Sequence, residues 1–341
     1  MSLLWLALAT GCQVDTYALR KDYAGPPALP AEVAARFAYP APDPAAPEPE
    51  FELLGETEAF RHKRARFEVL NPAAGGRTKM TLEVFESRVG EGRRPAVLIM
   101  PILAGRYPEC AYLGGQFTGA GMHAFFVHRE DNLLDPARRG PDMERVLRKS
   151  VIACRQALDY MAARPDVDPE RLGFIGISLG AILGTSLVAV EPRLKASVFL
   201  MGGADLSGIV LESRESPVRW YRNRRMSAEG LEPEDLRREI ADSIVSDPED
   251  LAPFVDARRV LLFIAKYDNK VPSRYQWLLW ERMGRPDAYA CPCGHYTAIF
   301  YLDFAREKVL AFYRRAFGLD PAPGPTPEST PAQPVTAAGT R

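Results

Sequence analysis

The stretch RLGFIGISLGAILG, Arg171 to Gly184, carries one serine between two glycines, with an apolar run on either side. Residues 172–177 have the continuous apolar character of a strand covered on both faces. Residues 179–190 read as a buried helix. Ser178 therefore falls where a strand turns into a helix. A turn that sharp strains its middle residue, and Gly176 and Gly180 remove the Cβ atoms that would collide across it. Such a turn holds the serine hydroxyl out at the top of a sheet and aims a helix N-terminus at it. The amide of Leu179 is then available to a developing oxyanion.

The sequence around this turn alternates. Residues 66–70 and 80–85 are short alternating segments separated by NPAAGG, which reads as a hairpin-like break. Residues 95–103, 122–128, 195–201 and 259–265 repeat the character of a fully covered strand. Helix-period segments lie between and after them, at 143–163, 179–190, 274–283 and 296–317. This order predicts an α/β fold: a mostly parallel central sheet with helices on both faces. Ligands of such sheets sit at the carboxyl ends of the strands. One interval breaks the rhythm. Residues 205–255 are long, charged and helix-prone, and they predict a helical insertion placed to cap a site.

The 341 residues suffice for one large α/β domain. A net charge of −1 gives no reason to expect nucleic acid or an anionic membrane as a partner. Pro and Ala dominate 24–50 and 320–341, which predicts a linker over 13–50 and a disordered tail over 320–341 around a folded body at 51–319. Residues 2–12 form an apolar run that ends in small residues and Cys12. This run resembles a bacterial lipoprotein signal, which implies lipidation at Cys12 and a tether to the cell envelope. The alternative is an apolar N-terminus on a cytoplasmic protein. No other segment approaches the roughly 18 apolar residues of a membrane span.

The remaining four of the five cysteines divide by context. Cys154 shares a helical face with Leu147, Val151, Leu158 and Met161, and reads as core. Cys291 and Cys293 sit in CPCGH. A single local cluster lacks the four ligands of a structural zinc site, so no metal is expected. In an exported protein, a disulfide from Cys110 to Cys291 or Cys293 is the better reading.

A serine nucleophile needs a base, and the chain has four histidines. His62 precedes the main sheet, and His123 and His128 flank a strand upstream of the serine. His295, in CGHYTAIFYL, lies in a loop before the last long helix, where a base would be required. The acid that orients it should come between the two. Asp268, in AKYDNKVP, directly follows the strand at 259–265. Asp205, in LMGGADLSG, also follows a strand and is the competing candidate, although it opens the charged insertion where aspartate commonly caps a helix.

With the order Ser178, Asp268, His295, the segment from about 66 to 319 resembles the α/β-hydrolase superfamily, nearest to its esterase and dienelactone-hydrolase-like branches. GISLG matches the nucleophile elbow, DNKVP the acid loop and GHY the histidine loop. The resemblance implies that Ser178 attacks a carbonyl, His295 shuttles the proton and Asp268 holds the imidazole tautomer. Dienelactone hydrolases carry cysteine where this chain has Ser178, so their substrate does not carry over. Many members have His-Gly after the third strand, where this chain has Pro101, Ile102 and Leu103. Proline cannot donate, so the oxyanion hole is expected to pair the Leu179 amide with that of Ile102 or Leu103.

These readings lead to a serine hydrolase that cleaves a small-molecule carboxylic ester through an acyl-enzyme, with no cofactor. Peptidase and acyltransferase chemistry share the triad. A non-catalytic, membrane-tethered binding protein on the same scaffold is the alternative from another class, and it would have no need of all three residues.

Overall fold

The computed structural model describes residues 13–41, 49–103 and 107–319. Cys12, the apolar run before it and the tail at 320–341 lie outside the described residues. Ten strands form one sheet, in the order β1-β10-β9-β8-β7-β5-β6-β4-β3-β2. They are β1 (Asp15–Tyr17), β2 (Phe51–Glu56), β3 (Phe60–Asn71), β4 (Gly76–Ser87), β5 (Arg94–Met100), β6 (His123–Val127), β7 (Val167–Ile177), β8 (Leu194–Leu200), β9 (Val260–Ala265) and β10 (Asp287–Cys291). The block from β6 through β5, β7, β8 and β9 to β10 is parallel. At one side β4, β3 and β2 continue it antiparallel. At the other, β1 closes it antiparallel against β10.

The parallel strands are buried along nearly their whole length, as a sheet with helices on both faces requires. One face packs on α3 (Gly140–Ala163), α4 (Leu179–Val190) and α9 (Ser273–Arg282). The other packs on α2 (Pro108–Gly119) and α10 (Leu302–Ala316). In α2, Gly114 lets the ring of Phe85 lie directly against the helix backbone, where a Cβ would fall within 2.6 Å of the ring. Between β8 and β9 the chain forms α5 (Leu206–Glu212), α6 (Ser216–Glu229), α7 (Pro233–Ser243) and α8 (Pro248–Leu251), in the interval where a helical insertion was expected. Its lock is polar: fully buried Arg225 reaches Glu229 and Glu239, and donates to the Arg138 carbonyl.

The N-terminal segment corrects the expectation of a linker over 13–50. Residues 13–41 are docked on the domain: β1 extends the sheet, and α1 (Ala31–Arg36) delivers Phe37 into full burial. Tyr17 packs edge-on against Trp277 and Trp280. Arg148 and Arg155 of α3 bind the carbonyls of Arg36 and Phe37 at 3.0 and 2.8 Å. A few aromatic anchors hold this segment down in spite of its Pro and Ala content. The disulfide expectation is corrected as well. Cys110, Cys154, Cys291 and Cys293 are all buried free thiols. Cys110 packs in the cluster on the α2 face, while Cys291 and Cys293 pack in a separate small cluster. No helix among the described residues is long and apolar enough to cross a membrane.

Candidate active site

Ser178 stands at the junction of β7 and α4 with φ 53° and ψ −117°, a conformation an L-residue adopts only under constraint. The constraint is visible on both sides. A Cβ on Gly176 would meet the backbone of Gly180 and Ala181, and one on Gly180 would meet the carbonyls of Met100 and Pro101. The Ser178 amide donates to Leu200 O at 2.8 Å, which ties the elbow to β8. Leu179 opens α4, where first-turn amides have no partner within the helix.

Asp268 follows β9 and is held by four donors. Its Oδ1 accepts from the amides of Lys270 and Val271 at 2.7 and 3.2 Å. Its Oδ2 accepts from Gln276 Nε2 at 2.9 Å and pairs with His295 Nδ1 at 2.6 Å. Gln276 is itself buried. It binds Val271 O through Nε2, and its Oε1 accepts from Ala265 N. The sequence reading missed Gln276; the only available signal was a polar residue among apolar neighbours, one turn into the helix after the acid loop.

His295 follows β10, and the Cys293 carbonyl accepts from Tyr267 N just before it. Ser178 and His295 line one cavity of about 670 Å³. The cavity walls are mostly aliphatic: Leu133, Leu134, Ile182, Leu206, Ile209, Val210 and Val218 contribute, the last four from the insertion and its entry. The insertion is also tied to the two loops beside it. Ser213 Oγ donates to Lys270 O, Lys270 Nζ to Arg214 O at 2.8 Å, and Tyr296 Oη to Glu215 Oε2 at 2.6 Å.

The competing acid is elsewhere. Asp205 caps α5, its Oδ1 accepting from Gly208 N at 2.8 Å and from Ser207 Oγ at 2.6 Å. The other histidines are engaged away from Ser178. His62 and His128 both hydrogen-bond Glu83, and His123 Nδ1 accepts from Ser87 N. Burial opposes the charge on Glu83, but hydrogen bonds from His128, His62 and Arg64 hold its carboxyl far below the usual range. Cys291 and Cys293 line the cavity and hydrogen-bond each other; that bond and burial push the Cys291 thiol up. No group of three or more metal-ligating side chains occurs among the described residues.

Of the two amides considered for the oxyanion hole, that of Ile102 donates to Glu109 Oε1 at 3.3 Å. Ile102, Leu103 and Glu109 all line the cavity.

Residues 154–276 match the family model described as BAAT / Acyl-CoA thioester hydrolase C terminal. A 49-residue segment is 43% identical to the protein YtaP of Bacillus subtilis (strain 168), and covers 14% of this chain and 16% of that relative. The fold is similar to an acetyl xylan esterase from Paenibacillus sp. R4, with TM-score 0.61 and 18% identity over 83% of this chain and 92% of that one. It is also similar to acetyl xylan esterase 1 from Thermoanaerobacterium sp. JW/SL YS485, with TM-score 0.60 and 16% identity over 92% and 99%. The sheet order and the elbow define an α/β-hydrolase fold.

Proposed function

We propose that the protein is a serine hydrolase that cleaves a carboxylic ester with an apolar acyl group through an acyl-enzyme. The observation that supports this most is the Asp268–His295 pair at 2.6 Å, whose imidazole lines the cavity that Ser178 enters from a strained elbow. Ser178 Oγ attacks the ester carbonyl carbon and passes its proton to His295 Nε2. Asp268 holds Nδ1 and stabilises the imidazolium. Charge on the carbonyl oxygen falls to the Leu179 amide and one amide of the 102–103 loop. The imidazolium then protonates the departing alcohol. Water repeats the attack on the acyl-serine, releases the acid and returns the proton to Ser178.

The test is labelling by a fluorophosphonate, with turnover of p-nitrophenyl esters of rising chain length. Wild-type protein should be labelled and Ser178→Ala should not; His295→Ala should lower kcat by several orders of magnitude. Undiminished turnover in Ser178→Ala would overturn the assignment. Thioester hydrolysis is a second reading, favoured by the family match over 154–276. Thiol release from acyl-coenzyme A, faster than from the matched p-nitrophenyl ester, would select it. Lipidation of Cys12 is proposed on the sequence alone. Labelled fatty acid should enter the wild-type chain in a bacterial host and not Cys12→Ser.

A further inference from the structure

The loop after β5 carries the amides expected to complete the oxyanion hole, and it has a support that no part of the triad supplies. The N–H of Ile102 and the carbonyl of Pro101 belong to one peptide unit. The N–H of Leu103 and the carbonyl of Ile102 belong to the next. Arg129, two residues beyond the end of β6, binds both carbonyls from behind: Nη1 donates to Pro101 O at 3.5 Å and Nη2 to Ile102 O at 2.5 Å. Its own backbone is fixed, since Arg129 N donates to Tyr107 Oη at 3.2 Å. Arg129 does not line the cavity.

A partly buried guanidinium is costly without a partner. Among the described residues, this one donates to backbone carbonyls and to no carboxylate; Glu109 acts on it only through space. A cation on a peptide oxygen polarises that peptide and makes its N–H a stronger donor. Held at two oxygens, the planar fork also fixes how both units face. The Ile102 amide already faces an acceptor at the cavity. Glu109 Oε1 receives it at 3.3 Å, while Glu109 Oε2 is buried with no partner. Burial pushes the Glu109 carboxyl up, which eases its displacement by another oxygen.

We infer that Arg129 is a positioning residue for acyl transfer, its guanidinium orienting and polarising the two peptides of the 101–103 loop, one amide of which, that of Ile102, receives the substrate carbonyl oxygen. Glu109 is the resting occupant of the Ile102 amide and gives way when that oxygen arrives. This inference rests on the hydrolase reading above.

The test measures kcat and KM for p-nitrophenyl acetate, the second-order rate of fluorophosphonate labelling, and the melting temperature, for wild type, Arg129→Met and Arg129→Lys. Arg129→Met should lower kcat and the labelling rate together, by about ten- to a hundredfold, with KM within twofold. Arg129→Lys, which can reach one carbonyl, should fall between Met and wild type. Where Arg129→Met does not fold, Arg129→Lys carries the test, with a reduced kcat at unchanged KM expected. A labelled wild type with kcat of Arg129→Met within threefold of it would overturn the inference, as would a loss confined to KM. A wild type that is neither labelled nor active would defeat the hydrolase reading instead.

Discussion

Gln276 and His295 meet on a single oxygen. Asp268 Oδ2 accepts from the glutamine amide at 2.9 Å and pairs with the imidazole at 2.6 Å, while Oδ1 takes two backbone amides. The carboxylate thus has one orientation in which all four donors are served, and in it Oδ2 faces His295. Gln276 comes from α9, so the helix after the acid loop is what sets the angle of the acid.

Gln276→Leu should therefore cut kcat by about tenfold with KM little changed, since the imidazole loses its fixed partner geometry. It also leaves Ala265 N–H and Val271 C=O without their side-chain partner. Stability should fall by about 1–3 kcal/mol. Steady-state kinetics and urea unfolding on the same preparation check both effects. An unaltered kcat would remove Gln276 from the positioning of Asp268.

Two glycine substitutions should have opposite signs. Gly180→Ala puts a Cβ into the carbonyls of Met100 and Pro101, which belong to β5 and its loop and cannot rotate away. It should destabilise the fold by about 3 kcal/mol or more. Gly115→Ala in α2 meets nothing within 4 Å, and should raise stability by up to about 1 kcal/mol. Chemical denaturation of the pair decides it. Equal effects would mean that the elbow yields more readily than its contacts imply.

The elbow was legible because its requirement is local. Only small residues fit around Ser178, and the strand and helix on either side advertise themselves by continuous apolar runs. Asp268 and His295 were legible from chain order and from the strand ends they follow. What escaped detection depends on partners distant in sequence. Strand β10 reads DAYAC, too short and too weakly apolar to stand out. Helix α2 contains Gly114 and Gly115, poor helix formers, one of them needed for contact with Phe85. The N-terminal segment hides its anchors, Tyr17, Phe37 and Tyr39, in a background of Pro and Ala. Gln276 and Arg129 act on residues that the chain brings beside them only when the sheet is assembled.

The Glu83 cluster predicts an acid-sensitive contribution to stability. Its carboxyl titrates lower in the native protein than in the unfolded chain, so the stabilisation is complete above about pH 4.3 and is lost as pH falls from there. Glu83→Gln should lower stability at pH 7 by about 1–3 kcal/mol, and its gap from wild type should shrink toward pH 3. Urea unfolding at intervals between pH 3 and pH 7 measures the gap. A gap that stays constant with pH would show that the charge contributes nothing.

Substrate length should be set from the insertion side of the cavity. Val218 of α6 is one of its lining residues. Val218→Trp should lower kcat/KM for p-nitrophenyl octanoate by tenfold or more, at about 1–3 kcal/mol per few methylenes excluded, and leave the acetate within twofold. Equal loss on both esters would place Val218 outside the acyl-binding wall.

The pairing of Asp15 with Ala290 joins residues separated by nearly the whole folded chain, and Lys266, just beyond the end of β9, binds Asp15. During synthesis β1 leaves the ribosome among the first elements and must wait for β10, which emerges among the last. Such a non-local closure is slow, and until it occurs the edge of β10 is an open template for other strands. The stretch from Cys291 to His295 leads directly from that edge. The Asp268–His295 pair is therefore the last part of the cavity wall region to acquire a settled frame, and a nascent chain can hold a finished elbow before His295 has its place.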